Sequence, residues 1–493
     1  MSTDTRVLSP VWQRGGPGVA LAEPESDDRL TYEQLAEIVE RLARQLAGSG
    51  VAPGDVVAYS LPPGPENVVV FLAVTAARAI AAPLNPAYRE DEFVSYLQDL
   101  RPAAAVLLEE HPREAHTACA SLRIPTLSLR TQGAFDCVVA GARLGELTSP
   151  DPDDVALMLH TSGTTSKPKS VPIRQRHLAA SSASIAAAYG LSETDVSQCV
   201  MPLFHVHGLV GATLATLHAG GTVVVGRRFT ASAFWDQAER YGTTWFTAVP
   251  TIHHALCQRP GRGAPTLRFA RSCSSALPPS LWETFEERFG VPLVNAYGMT
   301  EATHQMASNP LPPQPRASGS VGVATGTQIA IVDDAWNPVP AGHTGEVVVR
   351  GPSVVDGYLD NPEATATSFR DGWFRTGDSG TLDAAGYLRL EGRIKELINR
   401  GGEKISPFEV EEVLLRHAQV TEAVAYAVPD ERYGEVVGAV VVGDAVVEDD
   451  LRAYCGEHLA AFKVPKRIAV RSAIPKGPTG KVRRRLLARE VER

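Results

Sequence analysis

The sequence lacks the marks of several protein classes. Its six cysteines (Cys119, Cys137, Cys199, Cys257, Cys273, Cys455) are scattered over 493 residues without one Cys-x-x-Cys pair. That excludes a disulfide frame or a cysteine zinc site and predicts reduced thiols in a cytoplasmic protein. No stretch approaches the roughly 20 clean apolar residues that a membrane span needs, and the longest candidate, Val68 to Ala82, is broken by Arg78. The opening residues, Met1 to Arg6, have neither the charged start nor the apolar run of a signal peptide. A basic surplus is missing as well: 47 Lys+Arg against 56 Asp+Glu give a formal charge of −9, which argues against a general nucleic-acid binder. There is no repeat at a fixed period and no low-complexity tract. What remains is ordinary globular composition, 44 % hydrophobic and 21 % charged, long enough for a sizeable core.

The first half alternates helical and strand patterns. Thr31 to Gly48 has apolar residues at helical spacing, with Thr31 and Gln34 placed as a capping box. Strand patterns at 54–59, 103–108, 155–159, 221–226 and 245–249 alternate with helical ones at 66–79, from about His177, and at 232–241, predicting α/β layers with mostly parallel sheets. From Gly319 to Leu390 the runs shorten and break at Gly, Pro and Asp, as in a small β-rich unit. The last hundred residues carry helical patterns at 407–417 and 448–458 and strand patterns at 423–428 and 436–442, enough for a separate α+β domain.

The chemistry-bearing stretch is His160-Thr-Ser-Gly-Thr-Thr-Ser-Lys-Pro-Lys-Ser-Val171. It follows an apolar strand and is expected to precede a helix. Its clustered hydroxyls, one glycine and two lysines offer donors and positive charge to a polyphosphate. Polar surface turns also collect Ser and Thr, but seldom on both sides of one Gly followed by Lys-Pro-Lys. It is not a Walker A loop, because no Gly-Lys-Ser/Thr follows at the required spacing; Gly477-Pro-Thr-Gly-Lys481 fails the same test.

With four further motifs in order, the chain resembles the superfamily of adenylate-forming enzymes: acyl-CoA synthetases, peptide-synthetase adenylation domains and luciferases. Asn295-Ala-Tyr-Gly-Met-Thr-Glu301 resembles that family's adenine- and magnesium-contacting segment, Thr376-Gly-Asp378 its ribose motif, Gly392-Arg-Ile-Lys-Glu396 its inter-domain hinge, and Pro478-Thr-Gly-Lys481 its carboxy-terminal lysine motif. The resemblance spans roughly Leu30 to Leu487. It implies a large amino-terminal α/β domain (residues 1–392) of two layered subdomains plus a small β-barrel-like unit. A hinge at 393–395, centred on Lys395, would join it to a small mobile α+β domain (396–493). It also implies ATP and Mg²⁺: Thr161, Ser162, Gly163, Thr164, Thr165 and Lys169 around the phosphates, and Ser275, Ala276, Asn295, Ala296 and Tyr297 about the adenine. Asp378 and Arg393 would take the ribose, and Glu301 with Thr165 the metal. Thr300 would donate to phosphate, and Lys481 would neutralise charge developing between the attacking carboxylate and the α-phosphate.

Met201-Pro-Leu-Phe-His-Val-His-Gly208, Met299-Thr-Glu-Ala-Thr-His-Gln-Met306 and Asn399-Arg-Gly-Gly-Glu-Lys-Ile-Ser-Pro407 are most similar to the oxalate–CoA ligase branch, as is Ser166. Ser170 departs from the family's usual Gly after the Pro-Lys pair. His207 and His304 with Ser274 are candidates for a polar pocket that takes a small anionic acid, where a fatty acid would need apolar walls. Equally, His205 or His207 could gate a tunnel or pack structurally. Gly401 and Gly402 would allow a tight turn near a CoA channel, with Lys404 and Lys463 as CoA-phosphate contacts or simply solvated lysines. The basic tail Lys476–Arg489 reads as a nucleic-acid patch or, better, as the catalytic lysine on a solvated helix. The expected reaction is ATP-dependent activation of a small acid and transfer to CoA. The rivals are adenylation of an acid such as nitrite with an amine acceptor, as in secondary metabolism, and a catalytically silent binding protein on the same fold.

Overall fold

The computed structural model describes residues 5–109, 111–161, 169–259, 261, 263–475, 482, 484 and 487. Two large sheets dominate the first 320 residues. One has nine strands; its centre, Thr222–Val225, Val196–Cys199, Trp245–Ala248, Phe269–Ser272 and Leu293–Met299, is parallel, and His304–Ser308 returns antiparallel along Leu293–Met299. The other has seven strands, with a parallel centre through Ala104–Leu108, Val56–Tyr59 and Ile80–Pro83. One continuous core joins them, running through Val68–Val74, Leu209–Leu217 and Val223.

Local chemistry explains the elements that frame the site. Helix Tyr32–Gly48 starts at the expected capping box: Gln34 N–H donates to the Thr31 hydroxyl at 3.2 Å, and Thr31 N–H donates to the Gln34 side chain at 3.0 Å. The apolar run at Val68 is helix Glu66–Ala76, buried on every face. At about 1.5 Å per residue it is far too short for a bilayer. Arg78 then closes it in a left-handed conformation and pairs with Asp154 at 2.7 Å before strand Ile80–Pro83 begins. Among the described residues no helix is long and apolar enough to cross a membrane.

The Thr/Ser-rich segment follows the expected strand and precedes the expected helix, but a strand that the sequence did not disclose lies between. Val155–Thr161 pairs antiparallel with Lys169–Arg174, and only then does helix Gln175–Tyr189 begin. The reason is the period-two pattern in Lys169-Ser-Val-Pro-Ile-Arg174, where Val171 and Ile173 are fully buried. Ser166 and the rest of 162–168 lie outside the described residues. So does most of the basic tail, including Lys481.

The β-rich unit is a five-stranded antiparallel sheet built on Gln328–Val332, Gly345–Arg350, Trp373–Leu382 and Leu388–Arg393. A single 3₁₀ turn, Ile394–Glu396, leads from it to a separate core of Ile398, Ile405, Val410, Leu414, Val437 and Val441. That core lies under a second five-stranded sheet with helices Pro407–Leu415 and Glu448–His458. All six cysteines are buried thiols without disulfides.

Candidate functional site

The three candidate acid-pocket residues come together. His207 and His304 stack with ring centres 5.2 Å apart, and the Ser274 hydroxyl lies 2.9 Å from His207 Nδ1. Both histidines are buried. Ser274 and His304 hold left-handed or nearby positive φ (72° and 126°), as does Thr303 (56°). Non-glycine residues keep such conformations only where surrounding structure imposes them, and they gather at functional sites. Here Thr303 is fastened by its hydroxyl to Ser353 O at 2.6 Å and by its carbonyl to the Ser181 hydroxyl at 3.0 Å. Leu209–Leu214 forms a π-helical turn against this group. A Cβ on Gly211 would stand 2.2 Å from the His304 ring, so glycine alone permits this approach.

Behind the histidines lies Arg271, with no exposed surface. Its Nε donates to Thr247 Oγ1 at 2.9 Å, and its terminal nitrogens donate to Gln305 Oε1 at 2.7 Å, Gly211 O at 3.1 Å and His304 Nε2 at 2.8 Å. Thr247 Oγ1 is in turn 2.7 Å from His207 Nε2. Nothing in the motifs pointed to Arg271 or Thr247. The one available signal is a charged residue inside the strand Phe269-Ala-Arg-Ser272, whose four residues are all buried.

A second cluster collects charge from three parts of the fold. Glu301, on the 3₁₀ turn Thr300–Ala302 with Thr300 at its start, accepts from the Tyr358 hydroxyl at 3.0 Å. Lys169 Nζ lies 4.3 Å from the centre of the Tyr358 ring. Burial pushes the Glu301 carboxyl above its ordinary range, against hydrogen bonds and the charges of Arg393 and Lys169. Burial likewise lowers the Lys169 amine; Glu301 opposes that shift and Lys395 adds to it. Asp378 accepts from the Tyr297 hydroxyl and pairs with Arg393 Nε at 2.8 Å. Burial and the Asp378 carboxylate raise the Tyr297 phenol well above its usual value, so it stays a donor. Tyr358 is a third residue that sequence reasoning missed; it lies 57 positions from Glu301 with no spacing signal.

The remaining expected residues are placed as follows. Thr161 and Lys169 are register partners, so they hold the two ends of the hydroxyl-rich segment side by side; Ser162, Gly163, Thr164 and Thr165 are outside the described residues. Ser275 and Ala276 are exposed just beyond Ser274, and Ala296 is buried opposite Ser308. Asn295 spends its amide on Ser320 O at 3.0 Å, tying the strand to the β-rich unit. Gly401 and Gly402, both at positive φ, form the tip between Ile398–Arg400 and Glu403–Ile405, with Lys404 exposed beside them. Lys463 is engaged by both oxygens of Glu409 at 2.7 and 2.8 Å. Ser170, the departure from the expected glycine, donates to Asp99 at 2.8 Å, and the same carboxylate oxygen meets His160 Nε2 at 2.7 Å.

Residues 12–359 match the family model "AMP-binding enzyme", and residues 409–481 match "AMP-binding enzyme C-terminal domain". The chain is 47 % identical over 480 residues to an oxalate–CoA ligase of Arabidopsis thaliana, covering 93 % of each. It is 39 % identical to a sulfoacetate–CoA ligase of Cupriavidus necator, covering 94 % of this chain and 93 % of that one. Among solved structures, ATP-bound MatB from Rhodopseudomonas palustris superimposes with a TM-score of 0.91 at 28 % identity over 99 % of both chains.

Proposed function

The chain belongs to the AMP-binding enzyme family and is an AMP-forming acid–CoA ligase, and we propose that the acid it activates is a small polar one with a second anionic end, oxalate foremost. The observation that carries this reading is the acid pocket. His207, Ser274 and His304 form one packed polar group backed by a buried guanidinium, where an alkyl chain would need an apolar wall. Relatives acting on oxalate and sulfoacetate, both small acids with a second acidic end, support it.

The reaction has two steps. The acid's carboxylate oxygen attacks the α-phosphorus of ATP, and pyrophosphate leaves. The CoA thiol then attacks the adenylate's carbonyl carbon, loses its proton, and AMP leaves. In our reading Lys481 balances the charge between carboxylate and α-phosphate in the first step. Thr161 to Thr165, Lys169 and Thr300 hold the phosphates. Asp378, aimed by Arg393 and Tyr297, accepts the ribose hydroxyls. Ser275, Ala276, Asn295, Ala296 and Tyr297 border the adenine.

Glu301 fits a magnesium ion. It is a single buried carboxylate whose charge its neighbours leave undercompensated, and Mg²⁺ usually takes one or two protein carboxylates, completing its shell with phosphate and water. Among the described residues no cluster of three or more His, Cys, Asp or Glu could hold a metal, so Glu301 would act with the phosphates and, in our reading, Thr165. When bound, the ion offsets phosphate charge. Residues 393–395 would be the hinge that turns the small domain between the steps. The Gly401–Gly402 tip, Lys404 and Lys463 would then border the CoA path, with Lys463 exchanging Glu409 for a phosphate.

The test is pyrophosphate release across oxalate, sulfoacetate, aryl acids, fatty acids and nitrite, each with and without CoA, and nitrite also with an arylamine. Oxalate or another short diacid should lead and give a CoA thioester. A fatty or aryl acid in first place would reject the acid assignment.

A further inference from the structure

Arg271 is a buried cation without a buried anion. Every hydrogen-bonding partner it has among the described residues is neutral: a threonine hydroxyl, a glutamine amide oxygen, a main-chain carbonyl and an imidazole nitrogen. Burying a guanidinium on such partners is costly, because nothing nearby returns the charge–charge attraction that would offset its lost hydration. Tyr189 and Trp245 lend ring faces, with centres 5.8 and 6.0 Å from its central carbon, and the Tyr189 hydroxyl, a neutral phenol, is a further polar neighbour.

The hydrogen-bond directions follow from the donor inventory, since arginine can only donate. His304 Nε2 must accept from Arg271, so the ring proton of His304 is on Nδ1. Thr247 Oγ1 accepts from Arg271 Nε. The only other group in reach of its hydroxyl among the described residues is His207 Nε2, so the Thr247 proton goes there. His207 therefore also carries its proton on Nδ1 and donates to Ser274 Oγ. The Ser274 hydroxyl accepts that bond, and its own proton has no other partner among the described residues. Two chains of hydrogen bonds thus leave Arg271, one directly to His304 and one through Thr247 and His207 to Ser274, and in both the donors point away from the guanidinium.

We propose that Arg271 is the positioning residue that makes the acid pocket selective for a dianionic acid: it fixes both histidines as Nδ1–H tautomers, turns Ser274 into a donor, and supplies the buried positive charge that the substrate's second anionic group completes. The proposal rests on the reading of His207, Ser274 and His304 as the acid pocket and adds the cause of its selectivity. Arg271 does not touch the substrate; it acts through the two histidines and Ser274. A group oriented in this way by a second residue loses affinity when that residue is changed, commonly by about 10- to 100-fold in metal sites built on the same logic.

Three variants test it, with oxalate as the dianionic probe and acetate as the monoanionic one. Arg271→Met should lower kcat/KM for oxalate about 100-fold, mostly through KM, and leave acetate and the KM for ATP within about threefold. Arg271→Lys, which keeps the charge but not the fork, should recover about tenfold of that loss. Thr247→Val, nearly the same shape, cuts only the His207 arm and should cost oxalate about tenfold while sparing acetate. If Arg271→Met shows no cooperative melting transition, Thr247→Val decides alone. Equal losses for oxalate and acetate, or an unchanged oxalate-to-acetate ratio in Thr247→Val, would overturn the proposal while leaving the pocket assignment intact. Acetate preferred by the unmutated enzyme would instead overturn the pocket assignment.

Discussion

Glu301, on the turn Thr300–Ala302, and His304, which opens the strand His304–Ser308, are three residues apart, yet they sit in clusters built on opposite plans. The His304 cluster draws on neighbouring strands of a single sheet and the helical turn beside it, and all its groups but one are neutral. The Glu301 cluster takes Lys169 from the seven-stranded sheet, Glu301 from the nine-stranded one, and Asp378 with Arg393 from the antiparallel unit. One cluster is complete within a layer; the other exists only because three layers meet. Under the proposed function the difference follows the reaction: recognition of an acid's spectator end calls for fixed neutral donors, whereas phosphate chemistry calls for several preorganised charges around a group whose charge changes.

The sharpest way to break this comparison is to remove a charge from the phosphate chemistry proposed for the second cluster. Lys481→Ala should reduce adenylate formation by about 10²–10³-fold or more, measured as pyrophosphate release, while thioester formation from supplied adenylate survives. Glu301→Gln keeps an acceptor for Tyr358 but loses the charge and should slow pyrophosphate release by about 10²-fold. The same change should stabilise the ligand-free fold. Because burial raises the Glu301 pKa, its contribution to stability is fully present below the ordinary carboxylate value and is lost as pH rises through the raised one. The melting temperature of Glu301→Gln should therefore exceed that of the unmutated protein by roughly 1–3 °C at pH 8 and converge with it near pH 4.5. A constant difference across that range would refute the buried-charge account.

Lys395→Pro tests the boundary between the layers and the small domain. Fixing φ at the 3₁₀ turn Ile394–Glu396 should trap one orientation. Adenylation should stay within about threefold while transfer to CoA falls at least tenfold; equal losses would move the hinge elsewhere.

A last effect, on stability alone, concerns the sheet beneath the proposed acid pocket. His253, fully buried between Phe246 and Phe285, uses one ring nitrogen on Arg271 O at 3.1 Å and leaves Nδ1 without a partner among the described residues. Burial lowers its pKa to about 4. Its contribution to stability is thus complete above about pH 6.5 and is lost as pH falls toward 4, up to roughly 3 kcal/mol. His253→Phe, which cannot take up the proton, should flatten the acid limb of a melting-temperature profile between those values; an unchanged limb would place the acid sensitivity in other groups.

The two clusters also differ in how far the sequence discloses them. Glu301, Asp378, Arg393 and Lys169 sit in short motifs, as expected if, as proposed, these segments approach phosphate and ribose, where particular residue types are needed at fixed local spacing. The capping box at Thr31 and the helix at Glu448 are equally local and were legible to the residue. Arg271, Thr247 and Tyr358 were not. Each acts on a partner far along the chain, and an arginine between Ala270 and Ser272 gives no sign that it is wholly buried until the neighbouring strands supply Thr247 and Gln305. The strand Lys169–Arg174 was missed for a different reason: a glycine- and hydroxyl-rich turn leading into a helix is the commoner phosphate loop, and here a hairpin intervenes.

The most direct measurement gives the unmutated enzyme ATP, Mg²⁺ and CoA with an equimolar mixture of oxalate, acetate, benzoate and octanoate, and reads the acyl-CoA products by mass spectrometry. A pocket of neutral donors charged from behind by Arg271 predicts oxalyl-CoA as the dominant thioester; octanoyl- or benzoyl-CoA in first place would contradict it.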